Sequence, residues 1–306
     1  MVIRQAAFAE KGAFLKGNLH THTTLSDGKG TPASTIRHYA AMGYDFLALT
    51  DHRKYNTCNA EPDTGLLILP ATELDRFLDG KGMPVLHVVS VGPEENNGFR
   101  DGQTFLYEKG GTATDCQDIL DDILAANNLP ILCHPQWSGN TPEDLLKLSG
   151  FRLMEVWNSG AVLDWGVDSN SYHWDYLLSQ GRTVYGVASD DTHGPHQNGF
   201  GFVRVKAEKN VASILDALNN GAFYASCGPE FYDFYVEDNQ VVVQCSPVSQ
   251  IILRNFSSPH KAVRGENIQG AQFKLRDCCT DYIRAEIVDA QGRRAWTNPI
   301  FLGGRP

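Results

Sequence analysis

The stretch NLHTHTTLSDG, Asn18 to Gly28, decides how this sequence is interpreted. If it is extended, residues i and i+2 share one face, so His20 and His22 can direct two imidazoles at the same point. Imidazole is the commonest metal ligand and suits zinc, iron and manganese. Two polar residues on an exposed strand would explain an isolated His-x-His pair equally well, so the rest of the chain has to decide.

Ionisable residues recur at or near the ends of apolar runs throughout the first three quarters of the chain. The members of this set outside the opening stretch are His52, Glu73, His87, His134, Asp191 and His193. Together with His20, His22 and Asp27 they make six histidines and three carboxylates. Burying so many ionisable groups without ions would carry a severe desolvation cost. The pattern therefore predicts a site for polyvalent metal ions.

Short apolar runs alternate with helical spacing over residues 1–228. This alternation predicts an α/β fold with a parallel sheet and helices packed outside it. We expect a (β/α) barrel instead of a doubly wound sheet, because polar residues recur where strands end and barrel active sites lie at carboxyl strand ends. The predicted strands are 45–51, 66–74, 84–92, 129–135, 152–158, 183–191, 200–207 and 222–227.

The pattern changes after Gly228-Pro229, where short alternating runs predict a small antiparallel β domain over residues 229–306. Its predicted strands are 231–236, 240–245, 250–254, 272–275 and 282–288. Residues 93–114 form a long, glycine-rich connection, which is either a lid over a site or a surface insertion.

The composition argues against some classes of partner and location for this chain. The 306 residues are 42% hydrophobic and 20% charged, with a net charge of 26 − 36 = −10, so no basic face for duplex nucleic acid is expected. No apolar run is long enough to span a membrane, and the first residues lack the pattern of a signal peptide. An odd number of cysteines, seven, without CxxC spacing predicts reduced thiols and a cytoplasmic location. Oligomeric state is not predicted.

The ordered set of motifs resembles the PHP superfamily, named for its polymerase and histidinol phosphatase members. The resemblance covers about residues 17–228 and rests on HTH…SDG, TDH at 50–52, the Glu of PATEL, His87, the Cys-His-Pro of 133–135 and SDDTH at 189–193. A weaker likeness, in SDDTHGP and TNPIF, points to carbaryl-hydrolase-type metallohydrolases. The resemblance implies a distorted (β/α)7 TIM-like barrel that holds two or three divalent transition-metal ions.

Carried over residue by residue, the resemblance implies three metal sites. They are His20, His22, Glu73 and Asp191 for the first, Glu73 with His87 and His134 for the second, and Asp27, His52 and His193 for the third. Such mixed histidine and carboxylate ligation fits Zn²⁺, Mn²⁺ or Fe²⁺.

Four neighbouring positions carry alternatives. Arg53 could contact a substrate phosphate or form a surface salt bridge, and His196 could contact the leaving group or be an exposed loop residue. Asp190 could orient a ligand or water, or simply pack. Glu155 resembles an acidic position of the family and either supports ligands or has a structural role.

The expected reaction is hydrolysis of small phosphate esters by a hydroxide that bridges two metals, with Glu73 and Asp191 as the central ligands. Asp190, His196 and metal-bound water are the candidate proton donors. A carboxyl or carbamate ester hydrolase is the alternative, for which Trp137, Trp157 and Trp165 could supply an apolar pocket. A metal-stabilised binding module without catalysis is the third possibility.

Overall fold

The structure is a computed structural model. It describes residues 5–8, 12–77, 85–95, 98–108, 116–167, 169–256, 261–275 and 281–303. The helices are α1 (Pro32–Ala41), α2 (Gln117–Ala125), α3 (Pro142–Leu146), α4 (Ser159–Trp165), α5 (Ser171–Ser179) and α6 (Val211–Asn220). The mixed α/β class predicted from the sequence is confirmed, with short helices around extensive sheet.

Strands of the first part of the chain supply two sheets. They are β1 (Gln5–Ala6), β2 (Phe14–Asn18), β3 (Phe46–Ala48), β4 (Leu67–Leu69), β5 (Ala71–Phe77), β6 (Val85–Val91), β7 (Leu129–Leu132), β8 (Leu153–Asn158), β9 (Tyr185–Ser189), β10 (Phe202–Lys206) and β11 (Phe223–Ser226). Strands β5 to β9 form a five-stranded sheet in sequence order. Strands β2, β3 and β4 are parallel neighbours in a larger sheet.

The predicted closed, parallel barrel is not confirmed. Within the described residues the strands form two separate sheets, which meet at isolated bridges such as Thr21 with Thr192 and His52 with Glu73. Strand β6 is antiparallel to both β5 and β7, and β10 is antiparallel to β2. The run predicted as one strand over 66–74 is two strands, because Pro70 lacks the N–H that a continuous ladder would use.

The remaining strands are β12 (Phe231–Glu237), β13 (Gln240–Arg254), β14 (Lys261–Lys274), β15 (Tyr282–Val288), β16 (Arg294–Thr297) and β17 (Ile300–Phe301). They are antiparallel, as expected, but β13 is one long strand with register shifts where two strands were predicted. They also extend the larger sheet, because β16 pairs with β11 and β12 pairs with β1. Trp296 and Tyr282 pack in the same core cluster as Trp174.

The long connection after β6 is described over 93–95 and 98–108. Its described part is fastened to the loop that follows His52, because Gln103 O accepts from Tyr55 N at 3.0 Å and Phe105 N donates to Arg53 O at 2.9 Å. The rest of the predicted 93–114 connection lies outside the described residues. Within the described ranges, every helix is too short or too polar to traverse a lipid bilayer.

Candidate metal centre

The two histidines of the opening stretch converge as predicted from their spacing. Both follow β2, where His22 N donates to Thr192 O at 3.0 Å and aligns this segment with the one after β9. Both imidazoles are buried, and their Nε2 atoms lie 3.2 Å apart. The strand-end segment therefore directs two nitrogen donors at one point.

A buried aspartate fixes the turn that carries Asp27. The Asp51 carboxylate accepts hydrogen bonds from Thr23 N at 2.8 Å and Ser26 N at 3.1 Å. The turn closes only because residue 28 is glycine, since a Cβ there would lie 2.4 Å from His22 C. Asp51 thus holds the backbone of the turn between His22 and Asp27 in place.

Glu73 is the centre of the histidine cluster. Its Oε1 lies 2.8 Å from His87 Nδ1, 3.3 Å from His20 Nε2 and 3.4 Å from His134 Nε2. Its Oε2 lies 3.0 Å from His52 Nδ1 and 3.3 Å from His22 Nε2. The side chain is 1% exposed. One carboxylate therefore touches five imidazoles that come from four segments of the chain.

The first group of donors has the spacing that a small metal ion requires. Asp191 Oδ1 lies 3.3 Å from His20 Nε2 and 3.1 Å from His22 Nε2. Tetrahedral ligands at about 2.1 Å from a zinc ion are about 3.4 Å from one another. The three donor atoms therefore form one face of such a coordination polyhedron.

The other two predicted groups are also brought together. His87 and His134 share Glu73 Oε1, and their ring centroids are 5.0 Å apart. Asp27 Oδ2 lies 3.3 Å from His193 Nε2 and 3.6 Å from His52 Nε2. His52 reaches both the Asp27 group and Glu73 through its two ring nitrogens, a link that the sequence did not predict.

Unpartnered buried atoms show that these donors fit a metal ion. Glu73 Oε2, Asp191 Oδ1 and His52 Nδ1 are buried and make no hydrogen bond. The residues that carry them each belong to a group of three or more side chains whose donor atoms lie within 4.8 Å of one another. Two of the ligand-bearing strand ends, at His134 and Asp191, also have positive φ angles of 28° and 48°, a strained conformation typical of functional sites.

The electrostatics of the cluster follow from its composition. Burial disfavours the imidazolium of His20, yet the Asp191 and Glu73 carboxylates raise its pKa well above the ordinary value. Burial likewise opposes charge on His52, but Glu73 raises its pKa to about 9. Burial also opposes charge on Glu73, whereas the imidazoles of His20, His87 and His52 lower its pKa well below the usual range. Without metal, protons take the place of cations in this cluster.

The buried Glu155 supports two ligands at once. Its Oε1 lies 2.8 Å from His20 Nδ1, and its Oε2 accepts from His134 N at 2.8 Å. Asn158 donates to Glu155 Oε2 at 2.8 Å and to Asp191 Oδ2 at 3.0 Å. The sequence predicted Asn158 only as the last residue of a strand. Nothing else in the sequence indicated that its side chain would contact Glu155 and Asp191.

Asp190 is buried and holds neighbouring backbone in place. Its carboxylate accepts from Gly199 N, Phe200 N and Gly201 N at 2.7 to 2.9 Å and from the Tyr39 hydroxyl at 2.7 Å. With Ser159 Oγ at 3.2 Å it accepts five hydrogen bonds and lies outside the donor groups. The structure therefore does not bring Asp190 to the metal centre.

Arg53 and His196 are also committed to carboxylates. The Arg53 guanidinium pairs in bidentate fashion with Asp75, so the salt bridge that was the alternative for this residue is present. His196 Nε2 lies 3.0 Å from Asp164 Oδ1 and its side chain is exposed. Neither residue lines the cavity over the metal ligands, although Asp164 does.

A cavity of about 310 Å³ opens over the donor groups. Its lining is Asp27, His52, Glu73, His87, His134, Trp137, Gly160, Ala161, Asp164, Trp165, Asp191, His193 and Gln197. Trp157, by contrast, is partly buried and packs against the core. Cys133 Sγ lies near His20 but donates to Ile131 O at 3.4 Å, and burial raises the pKa of its thiol, which disfavours the thiolate form that binds metals.

This arrangement, a mixed α/β fold with carboxylate-bridged histidines at strand ends, defines the protein as one built to hold metal ions. Scans against models of protein families and against curated proteins find no match. A solved two-domain protein from Bacteroides vulgatus, described as containing a predicted PHP-like metal-dependent phosphoesterase, has a TM-score of 0.53 at 14% identity over 97% of this chain and 98% of its own. The two proteins therefore share a fold, in agreement with the resemblance to the PHP superfamily in the sequence motifs.

Two further solved structures are more distant. An amidohydrolase from Chromobacterium violaceum with bound sulfate has a TM-score of 0.43 at 16% identity, over 60% of this chain and 89% of its own. A candidate metal-dependent phosphoesterase from Bifidobacterium adolescentis has a TM-score of 0.43 at 14% identity, over 66% of this chain and 94% of its own.

Proposed function

We propose that this chain is a metal-dependent hydrolase that cleaves small phosphate esters. The observation that carries the proposal is Glu73, a buried carboxylate that touches five imidazoles and keeps one oxygen without a hydrogen bond. A carboxylate shared in this way suits a bridging ligand between adjacent divalent cations.

Two or three ions of Zn²⁺, Mn²⁺ or Fe²⁺ would be held by the three donor groups. His20, His22 and Asp191 would hold one ion together with Glu73, His87 and His134 would hold a second through their shared contact with Glu73 Oε1, and Asp27, His52 and His193 would form the third group. Three divalent ions, with six positive charges, would outweigh the four carboxylates Asp27, Glu73, Asp191 and Glu155, so the fully loaded centre would be cationic, whereas two ions would only balance those carboxylates.

The chain's own residues would divide the remaining work. A bound divalent metal would act as a Lewis acid, activate water and neutralise charge on the reacting group. Glu155 holds the His20 ring through Nδ1, which keeps Nε2 directed at the ligand cluster. The cavity would admit the ester. His196 stays the candidate proton donor for the leaving group through its pairing with Asp164 of the cavity lining, although it does not line the cavity itself, because Asp190 is committed to five hydrogen bonds elsewhere.

Phosphorus is favoured over carbon by charge. A cationic centre attracts a dianionic phosphate monoester more strongly than a neutral ester, and several metals can bind its oxygens together. The apolar rings of Trp137 and Trp165 at the cavity favour the second candidate, a carboxyl or carbamate ester hydrolase. The surrounding protein, with its net charge of −10, would disfavour duplex nucleic acid as a partner.

The test compares kcat/KM for a chromogenic phosphate monoester, the matching diester and a carboxylate ester with the same leaving group, in Mn²⁺ and in Zn²⁺. We expect the monoester to lead, and His20→Ala to abolish whichever activity is present because it removes a ligand. If the carbon ester leads by more than about tenfold, about 1.4 kcal/mol of transition-state preference, the second candidate replaces the first. Bound metal with no activity on any ester would favour a binding module.

A further inference from the structure

The two exposed tryptophans of the protein lie on one cavity. Of the five tryptophans in the chain, Trp174 and Trp296 are fully buried and Trp157 is partly buried. Trp137 and Trp165 are 39% and 70% exposed, and both line the cavity over the metal ligands. Exposed indole is costly in water, so its concentration at a single cavity points to an apolar ligand.

The two rings form a connected aromatic edge that continues into the ligand cluster. Their centroids are 6.3 Å apart at an interplanar angle of 67°. Trp137 in turn lies 4.9 Å from the ring of His134 and 5.8 Å from that of His87. A group held against the Trp137 and Trp165 rings would therefore be adjacent to the metal ligands His134 and His87.

Helix α4 determines where the backbone of Trp165 lies. It begins with Asn158 as N-cap, whose side chain accepts from Ala161 N at 2.8 Å. Gly160 N donates to Asp190 O at 2.9 Å, and a Cβ at Gly160 would lie 2.8 Å from Asp191 O, so the helix packs directly against the ligand-bearing loop. Trp165, the last residue of this short helix, is thus placed relative to Asp191 by backbone contacts.

The charges of the lining complete the description. Among the residues that the structure describes, no lysine or arginine lines this cavity, and the rim carries Asp164 instead. A second anionic group on the ligand would find no protein cation there, whereas a flat apolar ring would find two indoles.

From this juxtaposition we infer that Trp137 and Trp165 are a specificity-determining clamp for an aromatic alcohol group, so that the preferred substrates are monoesters of aryl or other planar aromatic alcohols. This inference rests on the proposed function for the reacting end of the ester. It concerns only the alcohol end, and it holds whether phosphorus or carbon is attacked.

The experiment uses the full-length, metal-loaded protein with four compounds: 1-naphthyl phosphate, glycerol phosphate, 1-naphthyl acetate and ethyl acetate. Trp165→Ala is expected to lower kcat/KM for the naphthyl esters by roughly tenfold and for the alkyl esters by less than about twofold, since aromatic contacts of this kind are of that order. Trp165→Phe should lie between the wild type and Trp165→Ala. Leu163→Ala is the matched control, because Leu163 is an exposed residue of the same helix that does not line the cavity.

Equal losses on naphthyl and alkyl esters, or no loss on either, would overturn the clamp. If the acetates are the better substrates, the phosphoesterase proposal fails, while a loss confined to the naphthyl compound would still support the clamp. If no ester is turned over, calorimetric binding of 1-naphthylmethylphosphonate decides, since equal affinity for wild type and Trp165→Ala contradicts it. Trp165→Phe keeps the test valid if Trp165→Ala does not fold.

Discussion

Glu155 Oε1 lies 2.8 Å from Nδ1 of His20, on the side of the imidazole away from the ligand cluster. The same carboxylate accepts the backbone N–H of His134 through its other oxygen. A carboxylate behind a ligating histidine fixes the ring and its tautomer and raises its basicity as a ligand. Glu155, on β8, therefore orients His20 and His134 without being a metal ligand itself.

The first prediction concerns this carboxylate. Glu155→Gln replaces an all-acceptor group with an amide, so two of its four donors, either His20 and Ser189 or His134 N and Asn158, must face an N–H₂ group. We expect metal affinity to fall by about 10- to 100-fold with the fold retained. Competition with a fluorescent chelator measures it, and Glu208→Gln, at an exposed site, is the control for the lost charge. Unchanged affinity would show that Glu155 only packs.

The second prediction separates the bridge from a peripheral ligand. Glu73 contacts five imidazoles, whereas Asp27 is half exposed and contacts only the His22, His52 and His193 rings. Glu73→Gln should therefore lose more metal per chain than Asp27→Asn after dialysis against the same metal buffer, as measured by elemental analysis. Equal losses in the two variants would contradict the bridging role of Glu73.

Part of this site was predictable and part was not. The convergence of His20 and His22 could be predicted from their spacing, whereas the grouping of Asp191 with them was implied only by the resemblance to the PHP superfamily. Strand direction could not, because an apolar run such as Val85–Val91 has the same pattern in a parallel or an antiparallel ladder. The pairing of Arg53 with Asp75 and the clamp of Trp137 with Trp165 depend on loop geometry that no local pattern encodes. The short helix α4 was missed, although Asn158 and Gly166 are an N-cap and a left-handed C-cap that could have indicated it.

The third prediction is that chelation destabilises the protein. Metal binds the folded donor groups and has far less affinity for the unfolded chain, so saturation adds about 4 kcal/mol when free metal is about a thousandfold above Kd. Removing it should lower the Tm by several degrees in a calorimetric scan, and adding metal back should restore it. If the Tm is unchanged after verified metal removal, protons alone stabilise the cluster as well as metal does.

The fourth prediction gives the pH dependence of the metal-free protein. Four histidines of the cluster, His20, His52, His134 and His193, have raised folded pKa values, to about 9 for His52, because Glu73 and the other nearby carboxylates favour the charged imidazole. Their stabilising contribution is complete below the unfolded pKa of about 6.5 and is lost as pH rises through the folded value. The chelated protein should therefore melt at a lower temperature at about pH 9.5 than at about pH 7. Metal affinity should rise over the same interval, because protons leave as metal binds. A metal-free Tm that increases with pH would contradict this assignment.

The last prediction concerns the predicted division at residue 228, which the continuous sheet brings into question. Arg284 of β15 is fully buried, and it donates to Asp175 of α5 through Nε at 2.8 Å and Nη2 at 2.6 Å. Its guanidinium also lies over the Trp174 ring, 4.5 Å from the centroid. Removing one partner of a fully buried pair costs about 3–5 kcal/mol, and because Asp175 is 14% exposed and keeps the Tyr282 hydroxyl as a partner, the lower end, about 3 kcal/mol, is expected here. Arg284→Met should lower the free energy of unfolding by that amount, and adding Asp175→Asn should recover part of it.

Because these contacts join the C-terminal strands to a helix of the first part, we expect a single calorimetric transition that shifts as a whole. Arg264→Met, at an exposed position of β14, is the control and should leave the Tm unchanged. A separate transition at lower temperature, confined to the C-terminal strands, would instead show that residues 229–306 fold as an independent domain.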